Sequence, residues 1–314
     1  MKKFLEVLKK ELQKNNVNSE EIVEIIKDHE EMLEDGLSEG LKEEEIINRF
    51  GNPKDLALEL AVIRERKDKT MKNGYELVKE FQDVAVFKTL VKVVSDDVIY
   101  EESLGNEIKV YAKDINNIED YEIFYNDGEF ILKQTKEKSV SFFSKKSGKF
   151  IVEFPMSNPQ YKEFFFSTVS GDFVLEQLNC PKCIITSTSG DAKLKNINTI
   201  NFKVKTVSGD VSIEETSTND AELNTVSGDV SADKFNVAND MYLNTVSGDI
   251  DLTNAKCDKA IFTTVSGDLI GKEFYLNDLS FKSVSGDAKI ENENKEHEIK
   301  ISKKKSVSGK VTIK

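Results

Sequence analysis

Eight glycines, Gly171, Gly190, Gly209, Gly228, Gly248, Gly267, Gly286 and Gly309, stand 19, 19, 19, 20, 19, 19 and 23 residues apart. Around them the chain repeats one phrase, complete as Thr-Val-Ser-Gly-Asp-Val at 206–211 and again at 225–230. A unit this short cannot enclose a core of its own, so a fixed period near 19 demands stacked units and a solenoid. Aligning on glycine shows which columns stay apolar. Two residues before it stand Val169, Val207, Val226, Val246, Val265, Val284 and Val307, with Thr188 as the exception; two after it stand Phe173, Ala192, Val211, Val230, Ile250, Leu269, Ala288 and Val311. The alternation continues four residues after glycine and has the period of a strand, so the inward face reads as Val, Gly, Val. Further apolar columns lie five before (Phe166, Ile185, Val204, Leu223, Leu243, Phe262, Phe281), seven before and, more weakly, seven after. About six inward side chains per coil, at roughly 1.5 to 3 kcal/mol each, do not offset the backbone entropy of a whole coil at roughly 1 to 2 kcal/mol per residue. One coil alone cannot fold, and the stack should melt as a block.

The remainder of the chain is of a different kind. A length of 314 residues suggests two or three domains, and the whole reads as an α+β multidomain chain: a four-helix unit followed by an all-β solenoid of about eight 19-residue coils. The expected divisions are a helical interaction domain at 1–68, a charged linker at 69–83, a β-rich N-terminal cap at 84–155 and the repeats at 156–314. Phe4, Leu5, Leu8 and Leu12 recur at helical spacing; Asn18 with Glu21 forms a capping box for a helix carrying Ile22, Ile25, Ile26, His29, Met32 and Leu33 inward. A short helix over Glu43–Phe50 stops at Gly51, and Asn52-Pro53 opens a last one carrying Leu56, Leu60 and Ile63. Within the cap, Asn126-Asp127-Gly128 predicts a hairpin over Tyr121–Gln134, and Val94-Ser-Asp-Asp-Val98 is a degenerate copy of the repeat. Lys303, Lys304, Lys305, Lys310 and Lys314 cluster in the last coil, as edge protection requires.

Two stretches resemble known families. The run SEEIVEIIKDHEEMLEDGLSEGLKEEEIINRFGNPKDLALELA is similar to the HAAS (DUF1700-like) helical domain of Gram-positive bacteria, which implies a protein partner docked through residues 1–68. Members of that family often precede membrane segments or sit beside PadR-type regulators; here no run of 18 apolar residues follows. The segment FIVEFP and the recurrent TVSGD resemble the bacterial putative-adhesin family of SGD-repeat β-solenoids (DUF4097-like) over about residues 84–314. The pairing of the two resembles the LiaX-type proteins, which implies a place in the Gram-positive cell-envelope stress response.

A net charge of −13 argues against nucleic acid as a partner, and three cysteines imply no disulfide framework. Glu6 and Glu11 occupy the place of a signal peptide's apolar stretch, so the expected compartment is the cytoplasm, with a peripheral position at the cell envelope or surface as the alternative. Asp172, Asp191, Asp210, Asp229, Asp249, Asp268 and Asp287 form a carboxylate column that is either structural, accepting hydrogen bonds while glycine supplies the corner or close packing, or a cation ladder. The serines before each glycine lack a repeated base, since the histidines are His29 and His297, and no catalytic residue or cofactor is expected. Cys180-Pro-Lys-Cys183 reads as core, with Cys257 in the column of Cys180. Lysines around the first helix's apolar stripe suit an anionic membrane surface, though Glu6 and Glu11 suit a bundle helix better. The function expected is a non-catalytic binding or scaffold protein, with an envelope or membrane-surface ligand as a further partner. The alternatives are an intracellular adaptor docking a PadR-like regulator or a membrane partner, and a polysaccharide-acting solenoid enzyme, which would need a local carboxylate cluster.

Overall fold

The computed structural model describes residues 2–15, 17, 19–38, 40–58, 60–61, 71–103, 105–135, 147–155 and 161–314. It divides into two compact units, 1–74 and 75–314. The first holds helices Lys2–Lys14, Ser19–Ser38 and Glu43–Phe50 and a fourth helical stretch at 53–58 and 60–61. Phe4, Leu5, Leu8 and Leu12 are buried against Ile22, Ile25 and Ala57, as their helical spacing predicts. Gly51, at φ 79°, ends the third helix, and the Asn52 side chain accepts the Lys54 amide at 2.9 Å, so Asn52-Pro53 starts the fourth. Met32, expected inside, is 55% exposed. The capping pair at Asn18 and the position of Ile63 lie outside the described residues. Of the expected linker 69–83, Tyr75–Phe81 form a strand antiparallel to Ile108–Lys113; its charged residues Glu76, Lys79 and Glu80 are exposed, the last two adjacent after a register shift at Leu77/Lys79.

The second unit is a β-solenoid of about eight turns. Each regular coil has three strands, and every strand pairs in parallel with the strand one period on. Cys183 faces Phe202, Phe202 faces Ala221, Ala192 faces Val211 and Leu178 faces Ile197. Along the column seven before glycine, Phe164, Cys183, Phe202, Ala221, Met241, Ala260 and Leu279 alternate large with small. Rings at every level would not fit at the strand spacing of roughly 4.8 Å, so a small residue in one column is matched by a large one elsewhere in its coil. Phe274, for example, packs against Gly271.

The valine column two before glycine is not inward: Val169, Val207, Val226, Val246, Val265 and Val284 are 42 to 48% exposed. The buried neighbour is the hydroxyl residue three before, with Thr168, Thr206, Thr225, Thr245 and Thr264 at 5 to 6%. The bend spends two successive residues, valine and serine, on the outside, so the alternation slips by one. Thr206 Oγ1 accepts the Gly209 amide at 3.0 Å and Thr225 Oγ1 donates to the Gly228 carbonyl at 2.7 Å, whereas Thr264 Oγ1 is buried without a partner among the described residues. A second corner falls six after glycine, where Asn196, Glu215, Lys234, Asn254 and Glu273 take φ of 50 to 53°. The column nine after glycine (Cys180, Thr199, Thr218, Val237, Cys257, Leu276) is buried as well and completes the third side.

None of the eight repeat glycines has positive φ; their need for glycine is a close approach. A Cβ on Gly190, Gly209, Gly228 or Gly248 would lie 2.0 to 2.1 Å from the carbonyl oxygen of the glycine one coil before. Asp96 occupies this column in the copy at 94–98, and Gly171 would meet its carbonyl at 1.9 Å. It is tolerated because its carboxylate replaces what a preceding glycine backbone would fill: Oδ1 accepts the Gly148 amide at 2.9 Å and Oδ2 the Tyr121 hydroxyl at 2.5 Å. The copy's strands Lys88–Lys92 and Asp97–Glu102 pair in parallel with the first repeat on one side and with Glu129–Gln134 and Lys149–Phe154 on the other. Tyr121–Asn126 and Ile108–Lys113 then run antiparallel beyond these, with Tyr121–Gln134 forming the expected hairpin at Asp127-Gly128. Gly228→Ala is expected to cost about 3 kcal/mol or more, since the clash is with backbone, whereas Ser227→Ala should cost about 0.5 to 1 kcal/mol. Urea unfolding of the two variants checks this; equal losses would overturn the close-approach account.

Candidate functional site

The Thr-Val-Ser-Gly-Asp corner projects three outward columns. Each aspartate's Oδ1 accepts the backbone N–H of the aspartate one coil on: Asp191 to Asp172 at 2.9 Å, Asp210 to Asp191 at 2.8, Asp229 to Asp210 at 2.9, Asp249 to Asp229 at 2.8, Asp268 to Asp249 at 2.8 and Asp287 to Asp268 at 2.7. The ladder begins a coil earlier than the glycine repeat, with Asp97 accepting the Asp172 amide at 3.1 Å, and ends where Lys310 donates its amide to Asp287 at 2.7 Å. Adjacent carboxylates about 4.8 Å apart repel by roughly 1 kcal/mol in water. A hydrogen bond to a charged group contributes about 1.5 to 3 kcal/mol, so the ladder holds against its own charge. Its field reaches Asp251, whose carboxyl is pushed up by burial and then by Asp249 and Asp229. At the start of the ladder Asp97 pairs with Lys149 at 2.8 Å, and the hydrogen bond holds that ammonium above its ordinary value.

The serine hydroxyls donate to carbonyls one coil before, Ser189 to Val169 and Ser227 to Val207 at 3.3 Å. His297 lies elsewhere, its Nε2–H donating to the Leu276 carbonyl at 2.9 Å, and His29 donates from Nδ1 to the Ile25 carbonyl at 2.7 Å. The cysteines are buried; desolvation pushes the thiols of Cys180 and Cys257 up to about 12 and that of Cys183 well above its ordinary value. At neutral pH burial keeps them protonated and poor nucleophiles. Among the described residues no three of His, Cys, Asp and Glu converge to hold a metal.

A different surface escaped the sequence reading. Phe124, Ile131, Leu90, Phe165 and Ile184 stand opposite one another across five neighbouring strands and all face outward. Ion pairs fence the row: Lys133 with Glu122, Lys88 with Glu129 at 2.8 Å and Lys182 with Glu163 at 2.5 Å, while Lys92 lies 5.4 Å over the Phe165 ring. Beyond Ile184 a shallow depression of about 300 Å³ continues over the Lys203–Glu222 ion pair to Tyr242. The signal was the contiguous apolar runs Leu90-Val91, Ile131-Leu132 and Phe164-Phe165-Phe166, which mark strands apolar on both faces.

Fold and surface together define a repeat scaffold whose backbone is stitched by its own side chains and whose outer faces carry uniform columns. The chain belongs to the Toastrack DUF4097 family, whose model matches residues 90–314, and residues 3–59 match the HAAS family. Among solved structures it is similar to a putative lipid binding protein from Parabacteroides distasonis, with 19% identity over 77% of this chain and 98% of that one and a TM-score of 0.55. It also matches a putative adhesin from Bacteroides fragilis at 16% identity, 76% and 97% coverage and a TM-score of 0.44. No curated protein matches the chain.

Calcium or a chelator is expected to leave the melting temperature unchanged, because without native-state binding there is no linkage stabilisation. Asp229→Asn, which keeps an accepting Oδ1, should be neutral, and Asp229→Ala should cost about 1 kcal/mol; a calcium-dependent rise abolished by Asp229→Asn would assign the ladder to a cation. Thiol titration at pH 8 should find no reactive cysteine in the native protein and all three after denaturation.

Proposed function

We propose that this chain is a non-catalytic binding protein of the Gram-positive cell-envelope stress response, in which the solenoid is a rigid platform and the helical unit docks a protein partner. The observation that carries the reading is the outward apolar row from Phe124 to Ile184, a flat strip on a hydrogen-bonded stack. Such a strip suits binding more than chemistry. The description of the similar crystal structure as a putative lipid binding protein supports an envelope or membrane-surface ligand for it. The docking role is supported by apolar side chains left outside on the helices, Val23 at 63% and Leu37 at 46% exposure among them. Among the described residues no helix is long and apolar enough to cross a membrane, so a membrane ligand would be met from its surface.

Affinity capture with the full chain should recover a protein partner that a Val23→Lys, Leu37→Lys variant loses, and cell fractionation should find the chain with the envelope. Phe124→Lys with Phe165→Lys should release it from the envelope and leave the protein partner bound. Recovery from the cytoplasm alone, together with a transcriptional regulator, would replace this reading with the intracellular adaptor.

A further inference from the structure

The last coil closes one of its three sides and leaves another open. On the short third side, Asn292 is buried and its amide stands in for a missing strand: Oδ1 accepts the Phe274 amide and Nδ2 donates to the Phe274 carbonyl, both at 2.9 Å. His297 takes the Leu276 carbonyl beside it. The strand Lys300–Ser306 has no such cover. It pairs through one edge with Leu269–Ser283, and no described strand or side chain takes the backbone groups of its other edge.

This open edge is strongly basic in a protein of net charge −13. Lys303 and Lys305 continue the outward columns of Ser280 and Lys282, while Lys304 stands over Phe281, in a column that is otherwise Phe, Ile, Val or Leu. Among the described residues no carboxylate pairs with Lys300, Lys303, Lys304 or Lys305. One lysine in the apolar column is enough to stop two such edges from pairing with each other. The further outward lysines give the edge a sign, and a sign selects a partner.

We propose that the edge of Lys300–Ser306 receives an extended acidic polypeptide segment as an additional β-strand. Backbone hydrogen bonds supply the pairing, as in other strand additions, and the lysines choose carboxylate-bearing segments of about seven residues. A carboxylate over Lys304 would pair with it on the face that carries Phe281, and carboxylates on the other face would meet Lys303 and Lys305. The inference goes beyond the platform reading, since the apolar row lies on other coils.

The test uses the full chain and two octapeptides, one alternating glutamate with valine and one alternating lysine with valine. The acidic peptide should bind, should slow amide hydrogen exchange selectively within 300–306, and should weaken about tenfold or more as salt rises from about 50 to about 500 mM. The basic peptide should not bind. Lys303→Gln, Lys304→Gln, Lys305→Gln should abolish binding. Should loss of edge charge make that variant aggregate, Lys303→Glu with Lys305→Glu keeps the edge charged and should exchange the preference to the basic peptide. Equal binding of both peptides, binding of neither, or protection spread outside 300–306 would overturn the proposal. So would a lysine-dependent dimer in solution, which would give the edge to a second copy.

Discussion

The contact on which the rest of this structure depends is the one between a glycine and the carbonyl oxygen of the glycine one coil before. At about 2 Å from a would-be Cβ, it admits no side chain. That approach brings consecutive corners close enough for an aspartate to accept the next corner's amide, and it directs the preceding threonine inward to serve the same glycine. The repeated phrase is therefore a single device. Threonine and aspartate each satisfy a backbone group that a tight bend would otherwise leave unpaired, and glycine leaves room for the approach. Valine and serine are what the bend leaves outside.

A stack built from such contacts has an end problem, because an outermost coil lacks a neighbour on one side. The chain solves it three ways. Asp96 fills the glycine column with a carboxylate, whose hydrogen-bonded neighbour Tyr121 has its hydroxyl pushed up by burial first and by that carboxylate second. Antiparallel strands lie beyond the first parallel pairs and change the hydrogen-bonding pattern, so the repeat cannot simply continue. At the other end Asn292 imitates a strand on one side, and lysines line the edge on another. Lys304, which stands over Phe281 and is exposed, would have to be desolvated by a further regular coil, at a cost of several kcal/mol in the absence of a partner charge.

The same economy shapes what the surface can do. Apart from the buried hydroxyls of Thr264 and Ser283, corner serines, threonines and aspartates are occupied with backbone groups, and the thiols are protonated and enclosed. What remains free is extended rather than focal: an apolar row five strands long, a ridge of half-exposed valines and a basic edge. Columns of this kind recognise surfaces and segments, whereas catalysis concentrates unlike groups at one point.

The glycine spacing by itself determined the solenoid, the number of coils and the inward columns five and seven before glycine, because a period of 19 with strand alternation has one way to bury its apolar residues. The helical unit was legible from Phe4, Leu5, Leu8 and Leu12 and from the stop at Gly51 for the same reason. The valine column was misplaced, since alternation alone does not reveal where a bend consumes an extra residue. The left-handed corners at Asn196, Glu215 and Lys234 carry no glycine to announce them; neighbouring coils hold them in place. Only the tertiary structure decided the order of the first coils, where the strands Glu129–Gln134 and Lys149–Phe154 lie farther out than Lys88–Lys92 and Asp97–Glu102 although they come later in the chain. It also decided the row from Phe124 to Ile184, whose members are scattered over 95 positions of sequence and meet only because parallel pairing is non-local. Local periodicity is written in the chain, but which strand lies beside which is set by the free energy of the whole stack.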